Sequence, residues 1–121
     1  LGVVNDTGKV SVRRNGSLDL STTAIPNGQK TVLSLVVQST GTYKVWANGT
    51  EIMNNTTTSD MTSLVPGVAG DYAYHINVGR NWPDTWTAFN GNIGDVFLYK
   101  IALSDADRQT LEADIRTKFG F

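Results

Sequence analysis

The sequence predicts an all-β fold, an antiparallel β-sandwich with one short C-terminal helix. Three observations predict it. Apolar and polar residues alternate in short segments, as around Val10 and Val12, which is the pattern of half-buried strands. Asn-Gly pairs at Asn15–Gly16 and Asn48–Gly49 separate neighbouring segments and favour tight hairpin turns. A helical spacing of apolar residues occurs only at the end of the chain.

The composition indicates one small domain, residues 1–121, that binds neither nucleic acid nor membrane. The 10 Lys and Arg residues nearly balance the 11 Asp and Glu residues, and the net charge is −1. No basic cluster is longer than Arg13–Arg14, whereas phosphate binding needs several cations on one face. The chain has no cysteine, which excludes disulfides and thiolate metal sites, and no apolar run approaches a membrane span.

The strands follow one another along the chain. Leu18 and Leu20 continue the alternation of the first hairpin, and a Pro- and Gly-containing loop follows them. Thr31–Gln38 is too apolar for a one-sided strand, so we expect a central strand that begins a three-stranded meander. Tyr43 and Trp46 lie in its second strand, on opposite faces, and both are expected to pack. Further strands are predicted over Thr50–Met53, Asp71–Gly79 and Phe89–Lys100.

The last segment predicts a helix with defined ends. Ser104 provides an N-cap hydroxyl, and Gly120 lies where a left-handed C-cap is expected. Leu111, Ile115 and Phe119 recur every four residues and form one apolar stripe. We expect this stripe to pack against an edge or end of a sheet.

The C-terminal motifs resemble laminin G-like domains of the concanavalin A-like lectin/glucanase superfamily. They read Phe-Asn-Gly-x-Ile-Gly-Asp-Val-x-Leu-Tyr over residues 89–99, Ala-Leu-Ser-Asp-x-x-Arg over 102–108, and Lys-Phe-Gly at 118–120. Residues 42–50 and 76–80 resemble the family's Asn-Gly hairpin and its Ile-Gly-Arg strand. The resemblance spans residues 30–121 and implies a jelly-roll sandwich. Because family members usually have more strands in front, we expect a shortened domain or part of a longer protein.

A tryptophan-rich loop is the candidate ligand site. Trp82 and Trp86 flank Asp84 and follow Asn81, and flat indoles beside amide and carboxylate groups suit sugar rings. The alternative is that one indole folds back and plugs the end of the sandwich. No catalytic residue is expected. His75 is the single histidine, and superfamily glycosidases use paired carboxylates in a glutamate-rich strand that this chain lacks.

A metal site is left open by the sequence. Relatives of this fold often hold calcium near the sandwich rim, and the resemblance therefore makes calcium the ion to consider. Asp60, Asp71 and Asp84 are loop carboxylates that could contribute oxygen ligands. Asp95, inside a predicted strand, is more simply explained by hydrogen bonds to backbone amides.

Together these features predict a non-catalytic, lectin-like module of a larger extracellular protein, with a glycan or glycoconjugate surface as its partner. The alternative is a structural or host-attachment module of a phage or virus fibre, spike or capsid decoration, which would lie on the virion surface. In either case a shortened sandwich would expose a sheet edge, so we expect an oligomer or a partner chain to cover it.

Overall fold

The computed structural model describes residues 1–3, 7–14, 17–38, 41–56 and 89–121. The strands in this part of the chain are β1 (Gly2–Val3), β2 (Lys9–Arg14), β3 (Ser17–Ala24), β4 (Leu33–Val37), β5 (Thr42–Ala47) and β6 (Thr50–Thr56). They form two antiparallel three-stranded sheets, ordered β1-β2-β3 and β4-β5-β6. One helix, α1 (Asp105–Phe119), follows. The predicted all-β class with a C-terminal helix is confirmed, and jelly-roll connectivity remains a prediction.

The hairpin of β2 and β3 contains a register shift, and a buried serine side chain satisfies the backbone amide at this shift. Arg14 pairs with Ser17, as a two-residue turn requires, but the register shifts between Lys9 and Ser11. At this shift the Val10 amide donates to the Ser21 hydroxyl oxygen at 2.9 Å, and the same hydroxyl donates to a backbone carbonyl at 2.6 Å. Ser21 is 1% exposed. Its side chain therefore supplies the hydrogen-bond acceptor that the Val10 amide does not find in the irregular strand pairing.

The meander of β4, β5 and β6 confirms the prediction for residues 31–53. Asn48 and Gly49 both have positive φ, 49° and 84°, as the primed hairpin turn requires. The Asn48 side-chain oxygen also accepts from the Val32 amide at 2.8 Å, which fixes the start of β4. A register shift beside Val45 makes Ile52 an extra residue in β6.

The two sheets share one apolar core. The bulge explains why adjacent residues of β6 can both be buried there, since both residues of a bulge oppose one partner. A hydroxyl of β3, on Thr22, donates to the backbone of β6 at 3.1 Å, and the Tyr43 hydroxyl donates to the Asp19 carboxylate. The buried core residues are Val10, Val12, Tyr43, Val45, Ile52 and Met53.

Helix α1 has both predicted caps. The Ser104 hydroxyl oxygen accepts from the Asp107 amide at 3.1 Å and donates to its carboxylate at 2.6 Å, a reciprocal cap of the first turn. At the other end Gly120 adopts the left-handed conformation, and the Phe121 amide donates to the Arg116 carbonyl at 3.1 Å. This six-to-one bond is that of a Schellman motif.

Two strand predictions are wrong for the described structure. Within the described strands β4 is an edge rather than a central strand, and Leu35 on it is 37% exposed. Residues 89–104 contain neither strand nor helix, so the strand predicted over Phe89–Lys100 is not formed, and Asp95 lies in an irregular, exposed segment. A strand requires a hydrogen-bonded neighbour, and none of the described strands pairs with this segment.

The chain divides into two compact units. Residues 1–61 and 99–121 form one unit, which includes both sheets and α1, and residues 62–98 form the other.

Candidate ligand-binding groove

The sugar-binding residues predicted from the sequence lie outside the described part of the chain. This holds for all four residues of the tryptophan-rich loop, Asn81, Trp82, Asp84 and Trp86, and also for His75 and the loop carboxylates Asp60 and Asp71. Their role remains a prediction. The described residues nevertheless contain a second tryptophan-lined site, at the face of sheet β4-β5-β6 that α1 covers.

Trp46 and α1 meet on this face. Side chains alternate along β5, so Tyr43 and Val45 enter the core while Trp46 lies on the opposite face. The Arg108 guanidinium lies 4.1 Å from the centre of the Trp46 ring, a cation–π contact. Trp46 is 5% exposed, and the expected packing roles of Tyr43 and Trp46 are both confirmed.

A buried ion pair holds Arg108 in place. Arg108 donates to the Glu112 carboxylate at 2.6 Å, and both side chains are nearly fully buried. The two residues are four apart on α1 and therefore lie on one helix face. The Arg108 Nε makes no hydrogen bond within the described structure and lies 3.6 Å from the exposed Asp105 carboxylate. This arrangement holds the guanidinium over the indole ring.

Contacts at two further points show how α1 runs along the sheet. A side chain at Gly49 would approach Glu112 Oε2 to 3.6 Å, so the β5–β6 turn lies beside the middle of the helix. The Lys30 ammonium donates to the Phe119 carbonyl at 2.6 Å and so binds the C-terminal end of the helix. Helix α1 therefore follows β5 from Trp46 to the turn and continues beyond it.

The predicted contact stripe of α1 is only partly correct. Leu111, Ile115 and Phe119 are half-buried, whereas Arg108 and Glu112 are the buried residues. All five belong to the same helix face, since each lies three or four residues from another member of the set. A search for apolar spacing missed the two most buried positions because they are charged. The Arg-to-Glu spacing of four was the available signal.

A groove of about 160 Å³ opens beside this cluster, where β4 and β5 face the start of α1. Its walls come from the outward positions of two paired strands, since Val36 pairs with Lys44, and from the segment that leads into α1. The lining residues are Val36, Gln38, Lys44, Trp46, Leu103, Ser104 and Asp105. The groove is thus built on a sheet and a capped helix, which are rigid supports for a binding site.

The polar groups of the groove differ in their exposure and in the hydrogen bonds and ion pairs that they already form. The Lys44 ammonium lies 3.1 Å from the Glu51 carboxylate, and both side chains remain about one-third exposed. The Ser104 hydroxyl is used by the helix cap. Asp105 is the most accessible group, with 74% of its side chain exposed. Gln38 is exposed at the end of β4, where its backbone amide bonds to Thr42.

This set of groups suits reversible binding of a small polar molecule. An amide, a carboxylate and an ammonium group offer hydrogen bonds in both directions, and Trp46, Val36 and Leu103 give an apolar wall. Among the described residues, no group of three or more His, Cys, Asp or Glu side chains could hold a metal ion. No helix in the described part of the chain is long and apolar enough to cross a membrane.

Comparison with known proteins adds one fold relationship. No protein-family model matches the sequence, and no curated protein matches it. Among solved structures, the chain is similar to the S-layer domain-containing protein of Clostridium thermocellum ATCC 27405, whose residues 221–444 were crystallised. The TM-score is 0.56 at 19% sequence identity, over 86% of this chain and 50% of the other. The chain thus spans about half the length of that structure, and at this identity the likeness concerns the fold.

Proposed function

We propose that this chain is a non-catalytic carbohydrate-binding module of a larger extracellular or surface protein, with a laminin G-like fold. The groove beside Trp46 is the observation that carries the proposal. Sugars present hydroxyl groups that donate and accept hydrogen bonds, and C–H faces that pack on apolar surfaces. The groove offers both kinds of contact on a rigid sheet.

The size of the groove supports a small ligand. Pockets for drug-sized molecules hold roughly 300–1,000 Å³, whereas this groove measures about 160 Å³. One sugar ring at the end or side of a glycan matches this volume. A single ring with a few hydrogen bonds binds weakly, and lectin-like modules of surface proteins reach useful avidity by repetition.

The test is a glycan array followed by titration of the best glycan against matched variants. Gln38→Ala removes an amide of the groove, and Asp105→Asn replaces its charged acceptor by a neutral amide. Each change should reduce affinity at least about tenfold, since every lost 1.4 kcal/mol is tenfold. Gln109→Ala and Asp114→Asn change the same residue types at exposed positions of α1 outside the groove lining and should bind as the unaltered chain does.

Two further variants test whether the predicted tryptophan-rich loop, rather than the groove, is the binding site. Trp82→Ala and Trp86→Ala should leave binding intact if the groove is the site, and should abolish it if the loop is. Absence of binding to every glycan, with and without calcium, would contradict the carbohydrate proposal as a whole.

A surface-assembly or attachment module is the second candidate. Two observations favour it: the fold likeness to an S-layer domain-containing protein, and the exposed apolar residues after Gly91. These residues are Ile93, Val96, Phe97, Leu98, Tyr99 and Ile101, each at least 46% exposed. Light scattering over a range of concentrations tests it. Self-association that Leu98→Lys removes would favour this candidate over glycan binding.

A further inference from the structure

The charges around the groove restrict the class of sugar that it accepts. Among the described residues, Lys44 is the one cation in the lining, and its ammonium already faces the Glu51 carboxylate at 3.1 Å. An anionic ligand would have to compete with Glu51 for this ammonium. The local charge of the pair is zero, so it offers an anion little net attraction.

Arg108, a second cation near the groove, is also already paired with a carboxylate. Arg108 is 4% exposed, pairs with Glu112 at 2.6 Å and covers the Trp46 ring. It cannot turn toward a ligand without leaving the Glu112 carboxylate buried and unpaired, which is costly. Both cations are therefore neutralised by glutamates that belong to the fold.

The other charged groups that the described residues place at the groove are carboxylates. Asp105 lies in the lining with 74% of its side chain exposed, and Asp107 lies in the same first turn of α1. A carboxylate accepts hydrogen bonds from sugar hydroxyls but repels a carboxylate or sulfate on the ligand. Gln38 adds an uncharged amide that can both donate and accept.

We infer that the groove binds a neutral hexose ring and discriminates against uronic, sialic and sulfated sugars. This inference rests on the proposed carbohydrate function. Asp105 and Gln38 receive the ring hydroxyls, Val36 and Leu103 contact its C–H face, and the Lys44–Glu51 pair sets the charge preference. Glu51 is thus a specificity residue that acts through Lys44.

The experiment uses pairs of probes that differ only at C6, where a neutral hydroxymethyl group is replaced by a carboxylate. Methyl glucoside is compared with methyl glucuronide, and methyl galactoside with methyl galacturonide, by NMR titration at low salt. Unaltered protein should bind the neutral member of the preferred pair about twofold to fivefold more tightly, a ratio of the size expected for one partly exposed charge interaction.

The Glu51→Gln variant tests whether the Lys44–Glu51 pair causes the charge preference. It frees the Lys44 ammonium and should improve uronate binding by about fivefold, while binding of the neutral sugar changes less than about twofold. Asp114→Asn is the control, because it removes the same unit of negative charge from an exposed position of α1 outside the groove. Uronate binding should not change in this variant.

The outcomes separate the two proposals. Equal or tighter binding of the uronate by the unaltered protein would overturn the charge preference and leave carbohydrate binding standing. An equal gain in Glu51→Gln and Asp114→Asn would show that overall charge, not Lys44, sets the preference, and would also overturn the inference. If no sugar of either charge binds, the carbohydrate function fails and the inference fails with it.

Discussion

The two faces of β5 contact different kinds of side chain. On one face Tyr43 and Val45 are fully buried in the core that both sheets share. On the other face Lys44 and Trp46 meet α1 and the groove, where charged groups are paired rather than excluded. The alternation of one six-residue strand therefore places an apolar core on one face and the polar groove on the other.

This difference shows how the polar face is tolerated. Trp46 is as buried as a core residue, yet its covering group is a guanidinium rather than an aliphatic side chain. Burying charges is costly unless they are paired, and Glu112 provides the pair. The helix face thus depends on the match between two charges, whereas the core face depends on volume. The predictions below test this contrast, from the largest expected effect to the smallest.

The Glu112→Ala variant should cause the largest loss of stability. It leaves the Arg108 guanidinium buried without its carboxylate, which typically costs about 3–5 kcal/mol. Urea unfolding measures the change in the free energy of unfolding. The double variant Arg108→Met, Glu112→Met removes both charges and should lie much closer to the unaltered protein. Equal losses in the single and double variants would show that packing, not charge matching, holds the helix.

Truncation of the core face should cost slightly less. Ile52→Ala removes a side chain that the β6 bulge places in the shared core and should destabilise the fold by about 2–5 kcal/mol. Ile101→Ala is the matched control, because Ile101 is 75% exposed. That variant should change stability by less than about 0.5 kcal/mol. A comparable loss in both variants would contradict the assignment of the core.

Ser21 tests how much the buried hydrogen bond from the Val10 amide to its hydroxyl contributes to stability. Ser21→Ala leaves the buried Val10 amide without its acceptor, and the expected cost is about 1–3 kcal/mol. Hydrogen exchange of the Val10 amide should accelerate more than that of its neighbours. Thr23→Ala keeps the carbonyl that Ser21 contacts and should cost under about 1 kcal/mol. If the Val10 amide exchanges normally in Ser21→Ala, another group must satisfy it.

The features that sequence reasoning recovered are those encoded by adjacent residues. The Asn48–Gly49 turn, the Ser104 cap and the Gly120 cap each follow from one or two residues with a strong local preference. The burial of Tyr43 and Trp46 on opposite faces follows from strand alternation. These signals are present wherever the residues occur, so they can be recognised without knowledge of the partners.

The features that it missed depend on partners far away in the chain. Phe89–Lys100 has the composition of a strand, but composition does not supply a hydrogen-bonded neighbour. Arg108 and Glu112 are polar, and only the position of Trp46 across from them explains their burial. The groove likewise joins the β4–β5 hairpin to the start of α1, which follows more than fifty residues later in the sequence. Spacing along the chain could not bring them together.

The smallest stability effect is expected at the Lys44–Glu51 pair, and salt distinguishes this partly exposed pair from the buried Arg108–Glu112 pair on the same face of β5. Both side chains are about one-third exposed, so their interaction should contribute only about 0.2–1 kcal/mol. A double-mutant cycle with Lys44→Met and Glu51→Gln measures this coupling. At about 1 M salt the screening length falls to about 3 Å, and the coupling should largely disappear, whereas the loss caused by Glu112→Ala should persist because Arg108 is buried. A Lys44–Glu51 coupling above about 2 kcal/mol, or one that salt leaves unchanged, would mean that the pair is a structural element of the fold rather than an adjustable part of the groove.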